Sequence, residues 1–292
     1  MFGDPIVWYL FLGGSGAGAV TVLAALDLMR GHALRVPDAA TPKWALALDR
    51  VFLARTLAAS TVALTMGALC LLVDLGHPER FYYVLVHPTL SVLTFGSYVL
   101  AATVLCTAIL CAVALFNVTC IPVRIVRGIE AAAVVLGICT MAYTGAFLMS
   151  INFVPLWSSP VLPVLFVLSS LSAGIACALG CAAYEGSAEK ASLMHALTRA
   201  DAYLVALEAV CLTAYLAWVA FTMGGGAAAQ LMLGDESWLF WIGFVGVGLV
   251  LPLVFDTACS KMNNAALSAI AAACVLIGGF SLRYCIVNVS LV

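Results

Sequence analysis

Charge is scarce in this sequence. Charged residues make up 9% of the 292, where an ordinary soluble domain carries about a quarter. With 65% hydrophobic residues beside them, that scarcity excludes a soluble fold, which could not hide so much apolar surface. A basic patch is also missing: the twelve Lys and Arg are scattered, so no nucleic-acid partner is expected. None of the eleven cysteines forms a CxxC pair. Cys177 and Cys181, like Cys106 and Cys111, lie in apolar stretches and read as small thiols packing between helices, with no iron–sulfur cluster bound by this protein. The histidines, His32, His77, His87 and His195, all fall in loops or at helix ends. A membrane di-haem cytochrome needs ligands projecting inward from facing helices, so that class is excluded and no haem is expected. The start of the sequence lacks the basic segment of a cleaved signal peptide; Asp4-Pro5 reads instead as a helix start, with Asp as N-cap.

What is there is length of apolar run. Cutting the sequence at its charges and turn residues leaves stretches at 6–26, 51–73, 89–116, 128–150, 161–184, 202–222, 238–255 and 265–288. Each is close to the roughly 20 residues that cross a hydrocarbon core. No residue between Glu130 and Glu185 is charged, and Asn152, Pro155, Ser158, Ser159, Pro160 and Pro163 supply a turn within that span. Strands of a membrane barrel would be about ten residues of alternating polarity, so the runs predict an all-α membrane protein of eight transmembrane helices. Arg30, Arg35, Lys43, Arg50, Arg124, Arg127, Lys190, Arg199 and Lys261 fall on one set of alternating loops, and Arg80 alone falls on the other. Short basic loops stay in the cytoplasm, which puts both termini outside it.

Gly13-Gly14-Ser15-Gly16-Ala17-Gly18 in the first helix has a counterpart in Ser169-Ser170-Leu171-Ser172-Ala173-Gly174 in the fifth. Four crossings separate them, so both helices run in the same direction. That predicts a parallel repeat of two four-helix bundles, 1–150 and 151–292, although small residues three or four apart also serve simple helix packing.

The polar residues left inside the crossings fall into two groups. Tyr9, Tyr143, Asp74 and Arg283 stand towards the outer face. A neutral phenol can donate a hydrogen bond to a quinone oxygen, and a lone cation within a crossing, which costs up to about 3 kcal/mol on insertion scales, calls for a partner. Arg55, Glu130, Asp201 and Glu208 stand towards the inner face. One Arg neutralises one carboxylate, so the remaining acids are candidates for a proton path, with Glu208 paired to Arg55 or neutral; Asp201 could alternatively cap the sixth helix. A solute or ion transporter would suit the same helix count, but its binding site usually lies near the midplane between broken helices.

The sequence resembles the NrfD/PsrC family of membrane subunits. The resemblance rests on Tyr9-Leu10-Phe11-Leu12-Gly13-Gly14 with Ala17-Gly18; Asp74-Leu75-Gly76-His77-Pro78-Glu79-Arg80-Phe81; Tyr143-Thr144-Gly145-Ala146-Phe147-Leu148; Leu162-Pro163-Val164-Leu165-Phe166 with Ser172-Ala173-Gly174; and Gly278-Gly279-Phe280-Ser281-Leu282-Arg283-Tyr284. It implies two four-helix bundles in a bacterial cytoplasmic membrane, a menaquinone or other quinone near the outer face, a four-cluster iron–sulfur partner subunit and a molybdopterin catalytic subunit. Tyr9, Asp74, His77, Tyr143 and Arg283 are then the expected quinone-site residues, with Glu79 and Arg80 at the docking face. Tyr9 stands where a relative carries a histidine, which would shift proton acceptance to Asp74, His77 or water.

Overall fold

A computed structural model describes residues 4–33, 48–74, 91–116, 121–151, 155–185, 190–222, 234, 237–255 and 265–288. Lipid offers no partner for backbone N–H and C=O groups, so a polypeptide this apolar satisfies them internally by winding into helices. The helices are α1 (Asp4–Ala33), α2 (Arg50–Asp74), α3 (Val92–Phe116), α4 (Val123–Met149), α5 (Val161–Glu185), α6 (Ala191–Thr222), α7 (Leu239–Phe255) and α8 (Ala265–Asn288). Seven are long and apolar enough to cross a membrane; α7 is apolar but shorter, and its Leu239–Val250 part winds as a wider π-helix. The protein is a multi-pass integral membrane protein.

Several helices outrun the apolar stretches. α1 continues to Ala33, α4 begins at Val123, and α6 begins at Ala191, eleven residues before position 202. The added turns carry charge that the helices themselves settle. Asp27 pairs with Arg30 at 3.5 Å, and Arg127 donates to the Gly31 carbonyl at the end of α1 at 3.3 Å. Cations at a helix C-terminus answer its orphan carbonyls and its dipole. Arg50 does the same for α3, donating to the carbonyls of Ala114 and Leu115 at 2.7 and 3.0 Å. Lys190, nearly buried over the Phe52 ring, reaches Asp49 at 3.1 Å, while Asp49 accepts from the Phe52 N–H and so caps α2.

Burial sorts the helices. The apolar window of α1 is 78% buried and that of α5 67%, against 33% for α2, α3 and α6. α1 and α5 are therefore the centre, and the two small-residue motifs are what they pack with. A Cβ on Gly18 would fall onto the Ser170 carbonyl, and one on Gly174 onto the Gly18 backbone. The segment between α4 and α5 is pinned from both sides: Trp157 Nε1 donates to the Ile286 carbonyl on α8 at 2.9 Å, and the Tyr215 hydroxyl on α6 to the Leu156 carbonyl at 2.8 Å.

Candidate functional site

Tyr9 on α1 and Tyr143 on α4 are buried, and their hydroxyls address one another across the helix interface. Neither hydroxyl has a hydrogen-bond partner in good geometry among the described residues. A buried polar group left in that condition costs about 1–3 kcal/mol, so the pair is a candidate position for a polar ligand atom. The rings are held by absent side chains. Tyr143 lies directly on the backbone of Gly96 in α3, where a Cβ would fall inside its ring; Tyr9 packs on Gly13, whose Cβ would stand 3.5 Å from the ring edge. Phe147 stands beside Tyr143 with ring centroids 6.1 Å apart.

α2 runs alongside. A Cβ on Gly67 would come within 2.9 Å of the Gly13 nitrogen, which fixes the register of α2 on α1. Asp74 ends α2 two turns further on, about 10 Å by helical rise, which brings its backbone level with the first turn of α1. Its side chain, and His77, Glu79 and Arg80, lie outside the described residues.

Arg283 on α8 is fully buried one layer below. Its Nε donates to the Leu10 carbonyl at 3.1 Å, Nη1 to the Gly279 carbonyl at 2.7 Å and to Ser169 Oγ at 3.3 Å, and Nη2 to Ser170 Oγ at 2.7 Å. The Phe11 and Phe166 rings face the guanidinium at 5.8 and 5.3 Å, within cation–π range. Gly14 makes the room: a Cβ there would stand 2.9 Å from Nη2. Glu208 on α6 lies against the Ser169 hydroxyl, and Arg283 is the cation acting on it. Asp201, about two turns back along α6, accepts from Ser172 Oγ at 2.6 Å. Ser169 thus joins the arginine of α8 to Glu208, Ser172 holds Asp201 separately, and Asp201 is no cap, because α6 started ten residues earlier.

The four residues expected to form an inner group do not come together. Glu130 is buried on α4 beside Asp27, with Arg127 near; the two acids border a cavity of about 290 Å³ that Arg30 and Arg50 also line. Glu208 meets Arg283 by way of Ser169, not Arg55. Arg55 is exposed on the outer surface of α2, over the Tyr184 ring at 5.7 Å. Depth along a helix is readable from sequence, but the direction a residue faces around it is not, and Arg55 faces away from α6. Sequence reading also passed over Ser169, Ser170 and Ser172 as packing residues. Their signal was the nearness in depth of a buried arginine and two buried acids. Among the described residues, no group of His, Cys, Asp or Glu is arranged to hold a metal ion.

The family profile described as "Polysulphide reductase, NrfD" matches residues 1–292. The protein is 30% identical to the C subunit of polysulfide reductase from Wolinella succinogenes over 276 residues, covering 87% of this sequence and 82% of that one. It is 27% identical to protein NrfD of Escherichia coli K12 over 305 residues, covering 96% and 92% of the two sequences.

Proposed function

Because the protein belongs to the polysulphide reductase NrfD family, we propose that it is the membrane anchor subunit of a respiratory oxidoreductase, binding menaquinol or another quinol between Tyr9 and Tyr143. The observation that carries this reading is the pair of buried phenol hydroxyls that face one another and have no hydrogen-bond partner in good geometry among the described residues. A quinol supplies two electrons and two protons when bound. The electrons pass to a four-cluster iron–sulfur partner subunit docked at the loop that holds Glu79 and Arg80, and a molybdopterin subunit carries the chemistry on the terminal substrate.

Tyr9 and Tyr143 hydrogen-bond the quinol oxygens, and Gly13 and Gly96 fix the attitude of their rings. Arg283 has four hydrogen bonds to the protein, so it acts as a positioning residue: through the Leu10 carbonyl it fixes the turn of α1 that carries Tyr9. Asp74 and His77 are assigned the released protons. Both termini lie on the outer side of a bacterial cytoplasmic membrane, following the basic loops. Glu208 and Asp201, strung along the serines of α5, and Glu130 beside Asp27 are the candidate proton carriers; Arg55 faces away from them. The packing of α1 on α5 through matching motifs supports two four-helix halves, 1–150 and 151–292.

The test is quinol oxidation by the assembled complex carrying Tyr9→Phe or Tyr143→Phe, each of which removes one oxygen and keeps the ring. Losing one neutral hydrogen bond removes about 0.5–1.5 kcal/mol, roughly two- to tenfold in apparent quinol affinity. Wild-type rates and affinities in both variants would remove the site from this place.

A further inference from the structure

Arg283 ties α8 to two other helices. Its Nε holds the Leu10 carbonyl of α1, the residue after Tyr9, while Nη1 and Nη2 hold Ser169 and Ser170 of α5. Behind Ser169 stands Glu208 of α6, buried and hydrogen-bonded to the same hydroxyl. With the quinol seated between Tyr9 and Tyr143, a reading on which this one rests, we propose that Glu208 is a positioning residue for it. Acting through Ser169, Arg283 and the Leu10 carbonyl, the charge state of Glu208 sets the attitude of Tyr9 and hence the affinity for quinol.

Three observations carry the assignment. First, the chain of contacts is continuous and responds to charge. A serine hydroxyl offers one proton and two lone pairs. With Glu208 ionised, the Ser169 proton goes to the carboxylate and a lone pair is left to receive Nη1, 3.3 Å away. With Glu208 protonated, the acid has a proton of its own to place and competes with Nη1 for the Ser169 oxygen, and the attraction between carboxylate and guanidinium is gone. Second, the guanidinium has little slack with which to absorb that change. The Ser170 hydroxyl and the Gly279 carbonyl hold Nη2 and Nη1 at 2.7 Å each, and the Phe11 and Phe166 rings close over the group. Gly14 leaves room for Nη2 only because it lacks a Cβ, which would stand 2.9 Å away. The guanidinium is a rigid plane, so a shift at Nη1 moves Nε, the atom that holds Leu10. Third, Glu208 answers to one cation. Arg283 acts on it from α8, Ser169 faces it from α5, and Cys211 is its titratable neighbour on α6 itself. α7 carries no charged residue, α8 no other, α5 none before Glu185 and α1 none between Asp4 and Asp27.

A hydrogen bond to an ionised group outweighs the same bond to a neutral one by enough to change an equilibrium roughly fivefold. Ionised Glu208 therefore tightens quinol binding by about that factor, and affinity falls as pH falls through the titration of this carboxyl. The coupling is reciprocal, so quinol binding at α1 draws a proton off Glu208 at α6. A carboxylate that merely neutralised Arg283 would change stability and leave quinol affinity and its pH profile alone.

The test is equilibrium binding of 2-heptyl-4-hydroxyquinoline N-oxide, a fluorescent quinol analogue, to the purified full-length protein as a function of pH. No electrons move in this measurement, so any carriage of protons during turnover does not enter it. The wild-type protein should lose roughly fivefold in affinity as pH is lowered. Glu208→Gln, which holds the neutral form at every pH, should bind at the weaker level throughout. Ser169→Ala removes one oxygen from the connection and should give the same flattened profile, which keeps the question open to measurement should the Gln variant fail to fold. Glu208→Asp should restore part of the pH dependence. A profile in Glu208→Gln or Ser169→Ala that superimposes on the wild type overturns the proposal, whatever happens to thermal unfolding. Tyr9→Phe separates the two readings. Weakened binding there beside an unchanged Glu208→Gln profile overturns the coupling alone; unchanged binding in Tyr9→Phe removes Tyr9 from the quinol site and the coupling with it.

Discussion

Gly96→Ala tests the candidate site without touching either tyrosine. The added Cβ would fall inside the Tyr143 ring, so the ring or α3 must move. Forcing one extra carbon into a packed interior typically costs about 1–3 kcal/mol. A displaced ring also carries its hydroxyl away from the point it shares with Tyr9; losing that one hydrogen bond to a ligand adds about 0.5–1.5 kcal/mol, roughly two- to tenfold in affinity. Gly128→Ala is the matched control. Gly128 is an exposed glycine inside α4 whose Cβ would meet nothing within 4 Å, so replacing it should stabilise the helix by up to about 1 kcal/mol. The two substitutions are chemically identical and should move in opposite directions. Thermal unfolding of the purified protein reads the first effect, and the quinol KM of the assembled complex reads the second. If Gly96→Ala behaves like Gly128→Ala in both measurements, Tyr143 is not held as described and the reasoning about the site fails.

Two further outcomes follow from the polar centre of α5, α6 and α8. Arg283→Gln removes donors to the Leu10 and Gly279 carbonyls and to Ser169 and Ser170 and should cost at least about 1–3 kcal/mol, the range for leaving buried polar groups unsatisfied; the double variant with Glu208→Gln should recover part of that loss in thermal unfolding, and strict additivity would show that the two are not coupled. Ser172→Ala removes the 2.6 Å donor to the buried Asp201 carboxylate and should cost about 1.5–3 kcal/mol, the range for a hydrogen bond to a charged group. Asp201→Asn should be milder, because the amide oxygen still accepts; equal losses in the two would point away from a charge at that position.

The membrane fold was legible because the bilayer makes one demand above others, a long apolar run, and each of the eight runs overlaps an observed helix. Helix ends were not, and α6 shows why. Lys190, His195, Arg199 and Asp201 precede the apolar run, yet α6 already winds from Ala191, with Lys190 settled by Asp49 and Asp201 by Ser172. The partners that make those charges tolerable lie tens to more than a hundred residues away in sequence. Tyr9 and Tyr143 stood out in the sequence as polar residues towards one face, and the structure adds that their hydroxyls face one another. Of the two alternatives for Glu208, neutral or paired with Arg55, the structure does not bring the pair together: similar distance from a helix end carries no information about azimuth. The serines of α5 were seen and undervalued, since a small residue that packs a crossing and a hydroxyl that bridges charges look alike until the neighbours are known.

The crossing of α1 and α5 also limits how this molecule can work. Gly18 and Gly174 bring backbone against backbone, and a few residues away the Arg283 guanidinium ties α8 to the Leu10 carbonyl of α1 and to two serines of α5. Alternating-access machines rock one repeat against the other about a fixed site, and the surfaces that slide need side chains able to slip past each other. Here a sliding step would drive a carbonyl through a neighbouring helix backbone and strip a buried arginine of its acceptors. The seam behaves as a weld.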